Sequence, residues 1–183
     1  DERSQKEVYN DLNKEFKKVY PAYSGISFKH NQKIIKSFGT ISKSKIIMCN
    51  ESGNWIIYDS DRYGFNNPDE LWDGNVEIII IGDSYVQGHC VDNKFNLRNL
   101  ISNISNKKTL SLSMKGLGSL SELSIFKEYG LDKKPKDVIL FFNLTDLDDL
   151  RIEKKKEILK KYLEIRNFSQ DLREFQEEIN KNT

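Results

Sequence analysis

The residues of this chain best suited to chemistry sit at three abrupt stops in apolar runs. Ser84 closes a Gly82-Asp83-Ser84 turn directly after Val76-Glu77-Ile78-Ile79-Ile80-Ile81. A serine there is lifted above a sheet, and the free N–H groups of a following helix share its space. Such donors hold the oxyanion that forms when a hydroxyl attacks a carbonyl. Gly82 relieves the turn, and Asp83 can fix it by bonding to nearby backbone. The plainer reading is that Ser84 caps the next helix, a common use of serine. Gly116 and Gly118 lie at the second stop, where a backbone N–H without a flanking Cβ can approach a substrate oxygen. A tight strand-to-helix turn would need the same glycines. Asn143-Leu144-Thr145-Asp146 forms the third stop.

The elements that position these residues follow from the hydrophobic pattern. The isoleucine run is apolar on both faces, which suits a central strand of a covered parallel sheet. A helix follows with Leu97, Leu100, Ile101 and Ile104 on its inner face, then a second strand over Thr109–Ser113. Another helix carries Leu120, Leu123, Ile125 and Phe126, and Pro135 precedes a third strand, Val138–Phe142. Three strand-loop-helix passages predict an α/β fold with a parallel sheet, and ligands of such sheets bind beyond the carboxyl ends of the strands. Upstream, Val8, Leu12, Phe16 and Tyr20 predict a helix over Ser4–Tyr20, ended by Pro21. Residues 21–44 read as irregular. Short strands at Lys45–Cys49 and Trp55–Tyr58 flank a turn, and Asp59–Asp73 is a polar loop. The tail reads as amphipathic helices over Glu153–Arg166 and Gln170–Ile179. The domain assignment is a helical and irregular lead, residues 1–44, then an α/β domain, residues 45–183.

The chain has 183 residues, 37% hydrophobic and 31% charged, enough for one core. Its mean hydropathy of −0.64 describes a very polar surface. Lys+Arg 29 against Asp+Glu 28 leaves +1, without the basic field that nucleic-acid binding uses. No apolar stretch is long enough to span a bilayer. Two cysteines, Cys49 and Cys90, lack zinc-pair spacing and leave two free thiols or one bridge equally open. Asp146, Asp148 and Asp149 with Asp83 read as turn and helix-start acids in preference to a cation site. No metal or cofactor is expected. The lysine-rich stretch Lys154-Lys155-Lys156 alternates with glutamates, which describes a solvated helix face. The chain starts at Asp1 and stops on a charged helical tail; it reads as a fragment lacking an upstream segment and incomplete at its C-terminus.

Taken in order, Ile81-Gly82-Asp83-Ser84, the glycine-bearing stretch Ser111–Leu120 and the strand ending in Asn143-Leu144-Thr145-Asp146 resemble the SGNH (GDSL) hydrolase family. More narrowly, Cys49-Asn50-Glu51-Ser52-Gly53, Ser60-Asp61-Arg62-Tyr63-Gly64-Phe65-Asn66-Asn67-Pro68 and Gly88-His89-Cys90-Val91 resemble a bacterial, often extracytoplasmic subgroup. The resemblance covers roughly residues 45 to 175. It implies a three-layer α/β/α sandwich with an N-terminal helix and a small β extension. It also implies an ester hydrolase or acyl transferase outside the cytoplasm, acting on a small-molecule or carbohydrate ester. In that role Ser84 is the nucleophile, Gly116 the glycine oxyanion donor, and Gly82, Asp83 and Asp146 support them. The family's asparagine donor falls on Thr145, and another of its asparagines on Ser111. A hydroxyl is a shorter donor whose proton can point elsewhere. The family's Asp-x-x-His is absent: His30 and His89 are the two histidines, and neither has that spacing. Serine without a base is a poor nucleophile. Either sequence outside these residues brings the base, or the domain is a degenerate relative that binds a carbohydrate or protein partner. An unrelated domain binding a small anion at Gly82–Ser84 is a weaker third reading. The subgroup resemblance further implies a Cys49–Cys90 bridge stapling the loop Asp59–Asp73 beside the site. Trp55, Tyr63, Phe65 and Trp72 read as satellite core near that loop.

Overall fold

A computed structural model describes residues 1–183 as a mixed α/β fold organised on a three-stranded parallel sheet. The first strand of that sheet in the chain, Ile78–Gly82 (β6 in chain order), is buried along its whole length. It lies between Thr109–Ser113 (β7) and Asp137–Leu140 (β8), pairing in parallel with both, Ile80 opposite Ser111 on one side and Ile139 on the other. Alternate side chains leave opposite faces of a strand, and the isoleucines divide accordingly. Ile79 and Ile81 enter the main core with Leu110, Leu112, Leu120 and Ile125, whereas Ile78 and Ile80 pack with Val86, Leu97 and Ile101. The helix Ser119–Ile125 (α4) therefore covers one face, and Ser84–Gln87 (α2) with Leu97–Ser105 (α3) covers the other.

β8 differs from its neighbours. Val138, Ile139 and Leu140 are 46%, 37% and 56% exposed, and no strand pairs with its outer edge. Beyond it come Thr145–Glu153 (α5), Glu157–Glu164 (α6) and Gln176–Asn182 (α7). No helix is long and apolar enough to cross a membrane.

The lead is stitched into this body. Gln5–Glu15 (α1) opens with a capping box, in which Ser4 and Glu7 bond each other's backbone N–H. Val19–Pro21 (β1) runs parallel to Lys45–Ile47 (β4), which pairs antiparallel with Ile57–Asp59 (β5). Ser27–His30 (β2) and Lys33–Lys36 (β3) form a hairpin. The tail returns to this region, where the Gln170 amide bonds the Lys36 backbone and Asn180 Oδ1 accepts from Ser42 N.

Several sequence expectations need correction. The first helix stops at Glu15 rather than Tyr20, because residues 19–21 are held as a strand beside β4. Residues 21–44 contain a hairpin instead of irregular chain; its turn puts Asn31 and Gln32 at φ 46° and 66°, as a two-residue hairpin turn requires. On α3, Leu97 and Ile101 face the sheet, but Leu100 and Ile104 are exposed. The third strand ends at Leu140, and the expected helix Glu153–Arg166 breaks after Glu153 and restarts at Glu157. The last helix begins at Gln176 rather than Gln170. Trp55 packs with Val8, Val19 and Ile47, apart from the Tyr63–Trp72 and Phe65–Tyr129 ring pairs.

Candidate functional site at the carboxyl end of the parallel sheet

Parallel pairing delivers the three strand exits to the same end of the sheet. β6 ends in Gly82, where a Cβ would stand 2.4 Å from Val86 Cγ2; only glycine lets the chain turn so closely over α2. Asp83 is the helix cap, its Oδ1 accepting from Tyr85 N at 3.0 Å. Ser84 is thus the first helical residue and not the cap. It is half-buried, and its hydroxyl enters none of the chain's hydrogen bonds.

Both neighbouring exits are tied to this turn. After β7, Lys115 N donates to Gln87 Oε1 on α2 at 2.9 Å. The next residue, Gly116, is exposed and has φ 70°, which a side chain would strain. After β8, Asn143 Nδ2 donates to Asp83 Oδ2 at 2.9 Å, while Asn143 N donates to Asp146 Oδ2 at 2.6 Å. Asn143 therefore fastens the β8 exit to the residue beside Ser84. Thr145 is exposed and spends its hydroxyl proton on Asn143 Oδ1 at 2.5 Å, which turns it away from the role of a free donor. Asp146 is fully buried, with one oxygen on Asn143 N and the other without a partner.

Two acids that sequence reasoning missed dominate the surroundings. Glu153, buried at the end of α5, accepts from Gly118 N, Leu120 N and Ser121 N at 3.2, 2.8 and 3.3 Å, and from the Ser121 hydroxyl. It occupies the start of α4, where the unpaired N–H groups of a helix favour an anion, so Gly118 offers nothing to a ligand. Glu122, one turn on, is 1% exposed and neither carboxylate oxygen has a partner. Burial, then repulsion from Asp146, Asp83, Glu153 and Asp149, pushes its pKa up to about 8. No spacing rule marks these glutamates; the groups that bond Glu153 and the charges that repel Glu122 lie on other elements.

The loop Asp59–Asp73 is fixed through Asp61. This buried carboxylate accepts from Tyr63 N, Phe65 N, Asn67 Nδ2 and Trp72 Nε1, all within 2.9–3.0 Å. Its pKa is still raised to about 6 by burial. Asn67 then reads the β7 backbone, donating to Ser111 O at 2.9 Å and accepting from Ser111 N at 2.8 Å. The Ser111 and Ser113 hydroxyls bond each other at 2.6 Å, inside the protein. Cys49 and Cys90 are joined as a disulfide, with Cα atoms 5.4 Å apart. The bridge ties the end of β4 to the turn that follows α2.

Neither histidine bonds to Ser84 through its ring. His30 packs edge-on against Phe175 at 5.1 Å and bonds Asn31. His89 donates its backbone N–H to Ser84 O at 3.0 Å, while its ring Nδ1 is buried without a partner. The carboxylates among Asp83, Glu122, Asp146 and Asp149 do not converge tightly enough to ligate one ion. A hollow of about 780 Å³ lies elsewhere, between the β2–β3 hairpin and α6, and neither Ser84 nor Gly116 lines it. Compared with family models, curated proteins and solved structures, the chain matches none.

Proposed function

We propose that this domain is a serine ester hydrolase or acyl transferase of SGNH type, built on a three-layer α/β/α sandwich and working outside the cytoplasm on a small-molecule or carbohydrate ester. The observation that carries the reading is the position of Ser84. It leads a helix directly after the central strand, with Asp83 capping that helix and bonded to Asn143 of the β8 exit, while Lys115, before Gly116, bonds Gln87 at the end of the same helix. In this role Ser84 Oγ attacks the ester carbonyl, and the backbone N–H groups of Ser84 and Gly116 receive the oxyanion. Asn143 is a positioning residue, holding Asp83 against the β8 exit. The chemistry needs a base, because a neutral serine hydroxyl attacks slowly; no side chain among the 183 residues bonds to Ser84 Oγ.

That same absence, and the turning of the Thr145 hydroxyl onto Asn143, favour a second reading. A degenerate relative would keep the strand-end surface around Ser84 and bind a carbohydrate or protein partner there without turnover. A fluorophosphonate probe separates the two. Catalysis predicts covalent labelling at Ser84, lost in Ser84→Ala while the far-ultraviolet circular dichroism spectrum stays unchanged. Wild-type protein carrying any sequence that flanks these residues, folded yet unlabelled, would refute the hydrolase reading.

A further inference from the structure

Beside the Ser84 turn lies a second cluster of reactive side chains that the esterase reading leaves unused. Cys49 Sγ, Cys90 Sγ and a ring nitrogen of His89 all lie within 4.8 Å of one another. They come from two separate elements. Cys49 follows β4, where Ile56 N donates to its carbonyl at 2.9 Å. His89 and Cys90 follow α2, whose end is set by Gly88 at φ 74° and by the bond from His89 N to Ser84 O. The His89 side chain is half-buried, and its Nδ1 is buried without a hydrogen-bond partner. A buried ring nitrogen without a partner loses its hydration for nothing in return, and the ring that carries it lies beside two sulfurs.

We propose that reduction of the Cys49–Cys90 bridge converts this cluster into a site for a borderline-soft divalent cation of the zinc class. The reductant is a dithiol. It gives two electrons and two protons to the S–S bond, yielding two cysteine thiols, and is itself oxidised to a disulfide. A divalent ion then displaces the two thiol protons and binds two thiolates and the His89 ring, leaving its fourth position to water. The geometry is suited to this. Zinc bonds of about 2.3 Å to sulfur and about 2.0–2.1 Å to nitrogen place tetrahedral donor atoms about 3.5–3.8 Å apart. The ring nitrogen starts within 4.8 Å of both sulfurs and closes the remaining gap by rotation of its side chain, while the sulfurs separate once their mutual bond is broken. Two thiolates neutralise the ion, so no additional acid is needed. The site exists in one redox state alone, and it does not depend on what Ser84 does.

The test uses the full 183-residue chain reduced with dithiothreitol, which is then removed anaerobically, and Co²⁺ as the probe. Reduced wild type is expected to bind one Co²⁺ per chain with a thiolate-to-metal charge-transfer band and tetrahedral d–d bands, both abolished by Zn²⁺. The oxidised protein is expected to show neither. His89→Gln should weaken Co²⁺ binding by about tenfold or more, and Cys90→Ser should roughly halve the charge-transfer intensity, which counts thiolates. Circular dichroism of each reduced sample reports its fold. The proposal is overturned by reduced, folded wild type without a charge-transfer band, or by His89→Gln titrating like wild type. It is equally overturned if reduction alone unfolds the chain, since the cluster would then not persist.

Discussion

Replacing Glu122 by glutamine should stabilise the protein, and increasingly so as pH rises. The carboxylate is 1% exposed, both of its oxygens are unpartnered, and Asp146, Asp83, Glu153 and Asp149 all repel its charge. An ordinary glutamate loses its proton near 4.5, whereas Glu122 in the folded chain holds it to about 8. Below pH 4.5 the folded and unfolded states are both protonated, so the site contributes no pH dependence. Between 4.5 and 8 the unfolded chain releases the proton and the folded chain keeps it. Stability therefore falls as pH rises through that window, by at most about 1.4 kcal/mol per pH unit. The full displacement corresponds to about 5 kcal/mol. Solvent entering beside half-buried Asp149 screens part of it, which leaves about 2–5 kcal/mol. Glu122→Gln keeps the shape and cannot ionise. Urea unfolding followed by circular dichroism should find the variant close to wild type at pH 5 and more stable by about 2–5 kcal/mol at pH 9. Titrating groups not coupled to Glu122, Asp61 among them, are common to both proteins and cancel in the difference. A stability difference that is the same at pH 5 and pH 9 would refute the reasoning.

Two more substitutions test how the loops around Ser84 are held. Asp61→Ala leaves Tyr63 N, Phe65 N, Asn67 Nδ2 and Trp72 Nε1 without their acceptor. It should cost about 3–5 kcal/mol in urea unfolding, and a loss below about 1 kcal/mol would contradict the role assigned to it. Glu153→Ala empties the start of α4, freeing the N–H groups of Gly118, Leu120 and Ser121. The expected loss is about 2–4 kcal/mol, with faster hydrogen exchange at those amides; unchanged exchange there would rule the anchor out.

What the sequence made legible was mostly local. The run Ile78–Ile81 declared a strand buried on both faces, since it has no polar side to offer water. The glycine-bearing turns after β6 and β7 were visible for a similar reason, because few other residues permit such exits. Coincidence defeated the reading of the first helix. Phe16 and Tyr20 continue the four-residue spacing of Val8 and Leu12, yet Phe16 lies outside, under the Lys45 ammonium at 4.8 Å, and Tyr20 packs with the β4–β5 cluster. The β2–β3 hairpin was hidden because its turn uses Asn31-Gln32 without a glycine, leaving asparagine as its single signal. At the site, Ser84 could be singled out from its neighbours in the chain. Glu153, Glu122 and Asn143 could not, because each acts across 24 to 60 residues on groups that only the folded chain brings near.

The bare flank of β8 has a consequence for how this protein must be handled. Asp137 N and Phe141 N turn inward to β6, so the amides of Val138, Leu140 and Phe142 face outward, on a ribbon greasy above and below. Such a seam is a template on which another extended chain can pair, and at high concentration it favours stacking into aggregates. A lysine in place of Leu140, half in water already, would blunt the seam and keep concentrated samples clear.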